Sequence, residues 1–376
     1  MTAYQFFCKI YRRLFLNDDL VVHKVSKDAP WAFVSYIPFA LTHWYDDKFL
    51  DMHQSRREMF VIDGVLRELG YNVYIVSPWS NPRLPDIDFK LVFGLEPTFC
   101  EACKKYPNAK KIYYATGAYA GHQNSMVKKL TDTFNASYGS QIPYRRTVDE
   151  HDAAYLADEI LQIGSKFTID TYPEEVRSKI TLIHQSSQAI RTVEHITYAP
   201  ENEYFFMSSS GNILKGVPQL VECFSRHTDK ILHVVGPIEE DVKEAMKDVL
   251  APNIRFHGFM NVNSDEYLDI IKRCNFNIYP SSSEGGVPGG VLNCMRNGLI
   301  PITSRWGALD EIEDYGYLLK GINAKDIEEG LRWSETLDKE QITALKKKCQ
   351  EYVTKTYNLD NFGKEFSEYI ENVMKQ

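Results

Sequence analysis

Short apolar runs alternate with stretches of helical periodicity along this chain, in two separate series. Parallel strands need a long crossover, and a helix is the usual one, so this alternation dictates parallel sheets faced by helices. In the first series, 31–40, 72–77, 89–93, 111–115, 158–163 and 180–184 read as strands, and 55–69 and 98–105 as helices. The 55–69 helix carries Met59, Ile62, Leu66 and Leu69 at three- and four-residue steps, and Gly70 stops it. Residues 122–160 read as mostly polar or helical. The pattern breaks across 191–203. A second series then gives strands at 204–207, 231–235, 253–257, 276–279 and 300–303. Helices are expected between them at 218–226, 239–249, 265–273 and 290–297, and afterwards at 324–335, 338–356 and 359–374. The expected fold class is α/β: two doubly wound parallel-sheet domains with a cleft between them. The domains are expected at 31–195 and 196–356, after an N-terminal amphipathic segment, 1–30. Ligands of such sheets bind outside the carboxyl ends of the strands.

Composition narrows the function classes. The net charge of −8 excludes a whole-chain basic footprint for nucleic acid. Seven cysteines, an odd number scattered from Cys8 to Cys349, do not form a secreted disulfide framework and point to a reducing cytoplasm. No apolar stretch approaches the roughly 18 residues of a membrane span, and no signal-peptide h-region is present. Residues 4–16 read as a helix with Tyr4, Phe7, Cys8, Tyr11, Leu14 and Phe15 on one face and Lys9, Arg12 and Arg13 off it. That face either packs on the domain or lies on an anionic membrane surface, here the inner face of the membrane.

The chemistry concentrates between 277 and 312. After a strand ending at Pro280 come Ser281, Ser282, Ser283, Glu284, Gly285 and Gly286, then Val287, Pro288, Gly289 and Gly290 at the start of a helix. Glycines let backbone N–H groups approach an anion, and the helix N-terminus adds partial positive charge, so the segment reads as a diphosphate cradle. Glu284 accepts hydrogen bonds only, which suits sugar hydroxyls. A second small-residue loop, Ser208-Ser209-Ser210-Gly211, precedes Lys215-Gly216, and a lysine there reaches a phosphate as a point charge.

Residues 203–320 resemble the donor domain of GT-B glycosyltransferases of the large retaining family 4. The resemblance rests on Pro280-Ser281, Glu284-Gly285, Met295, Gly298, Pro301, Lys215-Gly216 and His257-Gly258-Phe259. The first domain resembles the same family more faintly, through His53-Gln54 with Arg56, Gly70-Tyr71-Asn72-Val73 and Tyr114-Ala115-Thr116-Gly117. The resemblance implies a GT-B fold of two Rossmann-like domains, with a C-terminal helix, 357–376, returning to the first. It implies transfer, with retention, of a hexose-type sugar from a nucleotide-diphosphate donor to a glycan or lipid-linked acceptor. No cofactor and no metal are required: Lys215 and the glycine-loop N–H groups hold the leaving diphosphate. On this reading Lys215, Glu284 and His122 (or Tyr119 at its place) are the catalytic group. Ser209, Ser210, Gly211, Gly285, Gly286 and Val287 line the donor, Phe259 and Met260 meet the base, and Asn293 takes the ribose. His53, Gln123 and Asn124 face the acceptor side.

Two positions depart from the family. The second of its paired glutamates falls at Asn293, and an arginine five residues before the lysine falls near Ser210. These departures leave a second reading open: a degenerate GT-B protein that binds a nucleotide or glycan, or a non-catalytic partner of an active transferase. Rival motifs are slighter. Asp86-Ile87-Asp88 matches a three-residue metal–diphosphate pattern, Cys100 and Cys103 form a lone CxxC, and Arg145-Arg146 is a charge pair that suits solvent or an anionic acceptor.

Overall fold

A computed structural model describes residues 3–188 and 190–375. The first sheet holds β1 (Leu20–His23), β2 (Trp31–Ser35), β3 (Asn72–Val76), β4 (Phe89–Gly94), β5 (Lys110–Ala115), β6 (Glu159–Ile163) and β7 (Ile180–Ile183), in the order β1-β3-β2-β4-β5-β6-β7. The second holds β8 (Glu203–Met207), β9 (Ile231–Val235), β10 (Ile254–Gly258), β11 (Cys274–Tyr279), β12 (Ile300–Ser304) and β13 (Tyr317–Leu319), in the order β10-β9-β8-β11-β12-β13. Every pairing is parallel except β1 on β3. The longer helices are α1 (Ala3–Phe15), α2 (Gln54–Glu68), α3 (Thr98–Lys105), α4 (Ala120–Tyr138), α5 (Val217–Phe224), α6 (Glu240–Ala245), α7 (Asp265–Lys272), α8 (Gly289–Arg296), α9 (Ala324–Glu335), α10 (Lys339–Thr356) and α11 (Leu359–Met374).

The two-domain α/β architecture is the expected one, and its cores show why. Ala32 and Val34 of β2 face one apolar cluster with Met59, Ile62 and Leu66, while Phe33 faces another with Val92 and Phe99. A strand covered on both faces reads as a continuous apolar run, which is the 31–35 pattern. The run does not stay extended to residue 40. Pro38 has no N–H for the ladder and, at φ −60°, opens the helical turn Phe39–Thr42. The 239–249 stretch likewise splits into α6 and a 3-10 turn, Lys247–Val249.

Two helices cross the domain division. Val127, Leu130 and Phe134 of α4 pack in the same cluster as Ile213 and Leu214 of the second domain. The last helix, α11, leaves the second domain and lays Phe362, Phe366 and Ile370 on Met59, Ile62 and Leu66 of the first. The axes approach closely, since a Cβ on Gly363 would stand 3.0 Å from Val61 Cγ1.

The apolar face of α1 does not pack on the domain. Tyr4, Phe7, Tyr11, Leu14 and Phe15 are all more than half exposed, and only Cys8 is buried. Arg12 ties the helix to Asp18, which also accepts from Thr42 Oγ1. Among the described residues, no helix is long and apolar enough to cross a membrane.

Candidate active site

β8 and β11 are neighbours, yet the chain runs from β8 to β9 on one side and reaches β11 on the other. Their connections therefore part at the carboxyl edge and leave a crevice, the usual ligand position in such sheets. The crevice opens toward the first domain as a cleft of about 610 Å³, within the range of small-ligand sites. Of the residues expected from sequence, Lys215, Glu284, Ser209, Ser210, Phe259, Met260, Gly285, Gly286, Val287, Asn293 and His53 line it.

Lys215 and Glu284 are paired with one another, at side-chain exposures of 5% and 12%. The same carboxylate oxygen accepts from Ser281 Oγ at 2.7 Å and from Tyr279 Oη at 3.1 Å. Burial pushes the Tyr279 phenol well above its ordinary range, so it stays a neutral donor. A buried ion pair with further hydrogen bonds is a fixed object: neither charge is easily released, because the other would be left without compensation. Phe259 is the opposite case, 86% exposed at the rim, where its ring is free to lie against a flat ligand.

The glycines at 285 and 286 answer a second constraint besides the cleft. A Cβ on Gly285 would stand 2.6 Å from Thr116 O, and one on Gly286 2.6 Å from Gly164 Cα. Gly286 also has a φ of +157°. The two domains thus meet backbone to backbone at this loop, and Gly285 O accepts from Gln162 Nε2 and Thr168 Oγ1, both at 3.3 Å.

Four expected residues lie elsewhere. His122 sits in the domain interface, with Nε2 3.4 Å from Ser282 O and its ring 4.5 Å from that of Trp306. Burial pushes its pKa down, which keeps it neutral. Gln123 and Asn124 do not line the cleft: their amides hold the 145–148 loop, and Gln123 Oε1 also accepts from Ser283 Oγ at 3.4 Å. Gln123 Nε2 donates to Arg146 O at 2.6 Å, while Asn124 Nδ2 donates to Val148 O and its Oδ1 accepts from Val148 N, both at 2.9 Å. Gly211 is not free for an anion, since its N–H is donated to Glu239 Oε1 at 2.7 Å.

The cleft also contains residues that sequence reading did not assign to it. Gln185 and Gln188 come from the crossing between domains: Gln185 Nε2 donates to Val287 O at 2.6 Å, and Asn293 Nδ2 donates to Gln188 Oε1 at 3.2 Å. Arg146 reaches it from the first domain. No local spacing marks these residues, because each is brought in by tertiary contact.

The rival motifs lie apart from the cleft. Asp88 precedes β4, at the opposite end of the sheet, and pairs with Lys90. Cys100 and Cys103 are buried on α3, and burial pushes both thiols up to about 12, so they remain protonated packing groups. Glu203, His233 and Cys274 form a buried group with metal-ligand spacing. It stands away from the cleft, where Arg273 and Arg255 already face the Glu203 carboxylate.

No curated protein matches the sequence. Residues 203–333 match the family described as glycosyl transferases group 1. Among solved structures, sucrose-phosphate synthase from Thermosynechococcus elongatus is similar at a TM-score of 0.60 and 12% identity, covering 92% of this chain and 99% of that one. A glycosyltransferase from Rickettsia africae is similar at 0.55 and 13%, covering 92% and 99%. Anabaena HepE, solved in complex with UDP-glucose, is similar at 0.54 and 11%, covering 92% and 100%. At such identities these structures speak to the fold, while the family match speaks to the second domain. The chain thus has the GT-B fold, and its second domain matches, across residues 203–333, the family described as glycosyl transferases group 1.

Proposed function

We propose that the chain is a glycosyltransferase that moves a hexose-type sugar from a nucleotide-diphosphate donor to a glycan or lipid-linked acceptor, with retention. One observation carries this reading. The family match spans both the 208–215 and the 284–293 segments, and these same segments line one cleft of ligand size.

In the reaction, the bond from the sugar's anomeric carbon to the diphosphate breaks and its electron pair stays on the phosphate oxygen. The acceptor oxygen bonds to that carbon, and the acceptor's proton passes to the departing diphosphate. Charge grows on the diphosphate, so groups fixed there before the reaction contribute most to the rate. Lys215, held by Glu284, and the N–H groups of the 285–287 loop take that role. Glu284 orients the sugar, Asn293 offers its Oδ1 to a ribose hydroxyl, and Phe259 covers the base. Neutral His122 stands behind the sugar at the domain interface, and His53 lines the acceptor side. No step draws on a cofactor or a metal.

A melting-temperature screen against UDP, GDP, dTDP, ADP and CMP and their sugars tests the reading, followed by analysis of products with an acceptor. A ligand of the folded state raises the melting temperature by linkage, about 2.7 kcal/mol at a hundred times its Kd. One nucleotide family is expected to raise it and its sugar to be consumed with retention. No shift and no consumption for any of them would overturn the reading. Asn293, in place of a carboxylate, favours the alternative of a binding protein without turnover. A melting shift without consumption is the result that selects it.

The exposed face of α1 supports a membrane-surface location, here the inner face with the body of the chain in the cytoplasm. Tyr4, Phe7, Leu14 and Phe15 offer apolar surface beside Lys9 and Arg13, the pairing of features that binds anionic lipid. The full chain is expected to co-sediment with vesicles containing anionic lipid and to remain in solution after Phe7→Asp and Leu14→Asp. Equal sedimentation of both forms would remove the proposal.

A further inference from the structure

Among the described residues, the cleft is lined by three charged side chains, Arg146, Lys215 and Glu284. Lys215 and Glu284 compensate each other. Arg146 has no carboxylate within ion-pair distance among the described residues, whereas its neighbour Arg145 takes both Asp241 and Glu239. The uncompensated positive charge of the cleft is therefore that of Arg146.

Its position is built. Arg146 has φ +68°, a left-handed conformation uncommon outside glycine and asparagine, which persists where surroundings impose it. Those surroundings are the Gln123 amide on its carbonyl, the two Asn124 bonds to Val148, and the Arg145 clamp on Asp241. Its stem crosses onto the second domain and lies against Gly211, where a Cβ would stand 2.5 Å from Arg146 Cγ. Gly211 is thereby explained: it admits the arginine. The side chain lines the cleft together with Ser210, the residue before Gly211 and the position at which the family resemblance calls for an arginine and this chain has serine. The charge reaches far enough in to act on the Tyr279 phenol at the Lys215–Glu284 pair.

We propose that Arg146, delivered from the first domain across Gly211, is a second diphosphate-binding cation of this cleft beside Lys215, replacing the charge absent at Ser210. The proposal rests on the transferase reading for its catalytic part. As the anomeric bond breaks, guanidinium N–H groups donate to the phosphate oxygens that gain charge, while the guanidinium keeps its protons. A planar fork suits a phosphate better than an ammonium does. Because the cation and the glycine loops belong to different domains, diphosphate binding closes the same contact that aligns the two domains.

The test compares the full-length chain with Arg146→Ala and Arg146→Lys, by calorimetry with inorganic pyrophosphate and the five nucleotides and by turnover of the matching sugar nucleotide. Wild type is expected to bind pyrophosphate. Arg146→Ala is expected to bind it roughly 10- to 100-fold more weakly, the range for losing a charge-assisted hydrogen-bonding group, with an unchanged melting temperature. Arg146→Lys is expected to recover part of the affinity. Equal pyrophosphate affinity in wild type and a folded Arg146→Ala would overturn the proposal, as would no pyrophosphate or nucleotide binding by wild type. If wild type binds pyrophosphate through Arg146 yet consumes no sugar nucleotide, the transferase reading fails and the cation assignment stands.

Discussion

Lys215→Ala is expected to lower turnover by about a hundredfold or more, and also to destabilise the fold. The first effect follows from removing a charge aimed at the leaving diphosphate, since a single preorganised donor to a developing anion is worth about 10²–10³ in rate. The second follows from the pairing described above. Without the ammonium, the Glu284 carboxylate remains buried with only Ser281 and Tyr279 as donors, and breaking a buried pair costs about 3–5 kcal/mol. The double variant Lys215→Ala with Glu284→Gln separates the two effects. It removes the stranded charge, so its melting temperature is expected to recover most of the loss, while its turnover stays well below that of Glu284→Gln alone. Recovery of turnover together with stability would show that Lys215 serves the fold alone. Pairing both residues with one experiment is necessary, because each single variant injures its partner.

Glu58→Gln is expected to flatten the pH dependence of stability. Glu58 lies on α2, almost fully buried, and accepts from Ser186 N at 2.7 Å and Ser186 Oγ at 2.8 Å. Its second oxygen has no partner. Burial pushes its carboxyl from 4.5 up to about 7, against the smaller opposing effect of the Ser186 bonds. The folded pKa is raised, so the stabilising contribution is complete below the unfolded value and is lost as pH rises through the folded one. The loss runs between about pH 4.5 and 7 and amounts to about 3 kcal/mol by linkage. Gln keeps an acceptor for Ser186 and cannot ionise. Its advantage over wild type in denaturant unfolding is expected to be near zero at pH 4.5 and to approach about 3 kcal/mol at pH 8. Parallel pH profiles for the two proteins would show that Glu58 does not titrate in this range.

What sequence reading could and could not see divides along the range of the interactions. The strands 72–76, 231–235 and 300–304 were legible because both faces of each are covered, which leaves a dense apolar run. The 280–290 loop was legible because glycines, a proline and a carboxylate stand at family spacing. β1 and β13 were not, since Leu20–His23 and Tyr317–Leu319 are short edge strands whose pairing is decided by neighbours. Gly211, Gln123 and Asn124 stand outside the cleft lining for one shared reason: each meets Arg146 or its loop from another part of the chain, a contact that no local spacing announces. Gln185 and Gln188 escaped notice because an irregular domain crossing has no periodicity to read. The exposure of α1 could not be foreseen either: an amphipathic pattern states that one face seeks apolar surroundings, not where they are found.

The return of α11 to the first domain bears on how the protein is made. The first domain's core includes Phe362, Phe366 and Ile370, so its residues up to 188 emerge from the ribosome unable to finish their own packing. Domains are generally completed in order during synthesis, and here the first domain must wait for the last helix. The second domain's core itself reaches Tyr357, and the apolar groove on α2 stays open until residues 359–374 have been translated. During that interval Met59, Ile62 and Leu66 are the surface a chaperone would hold.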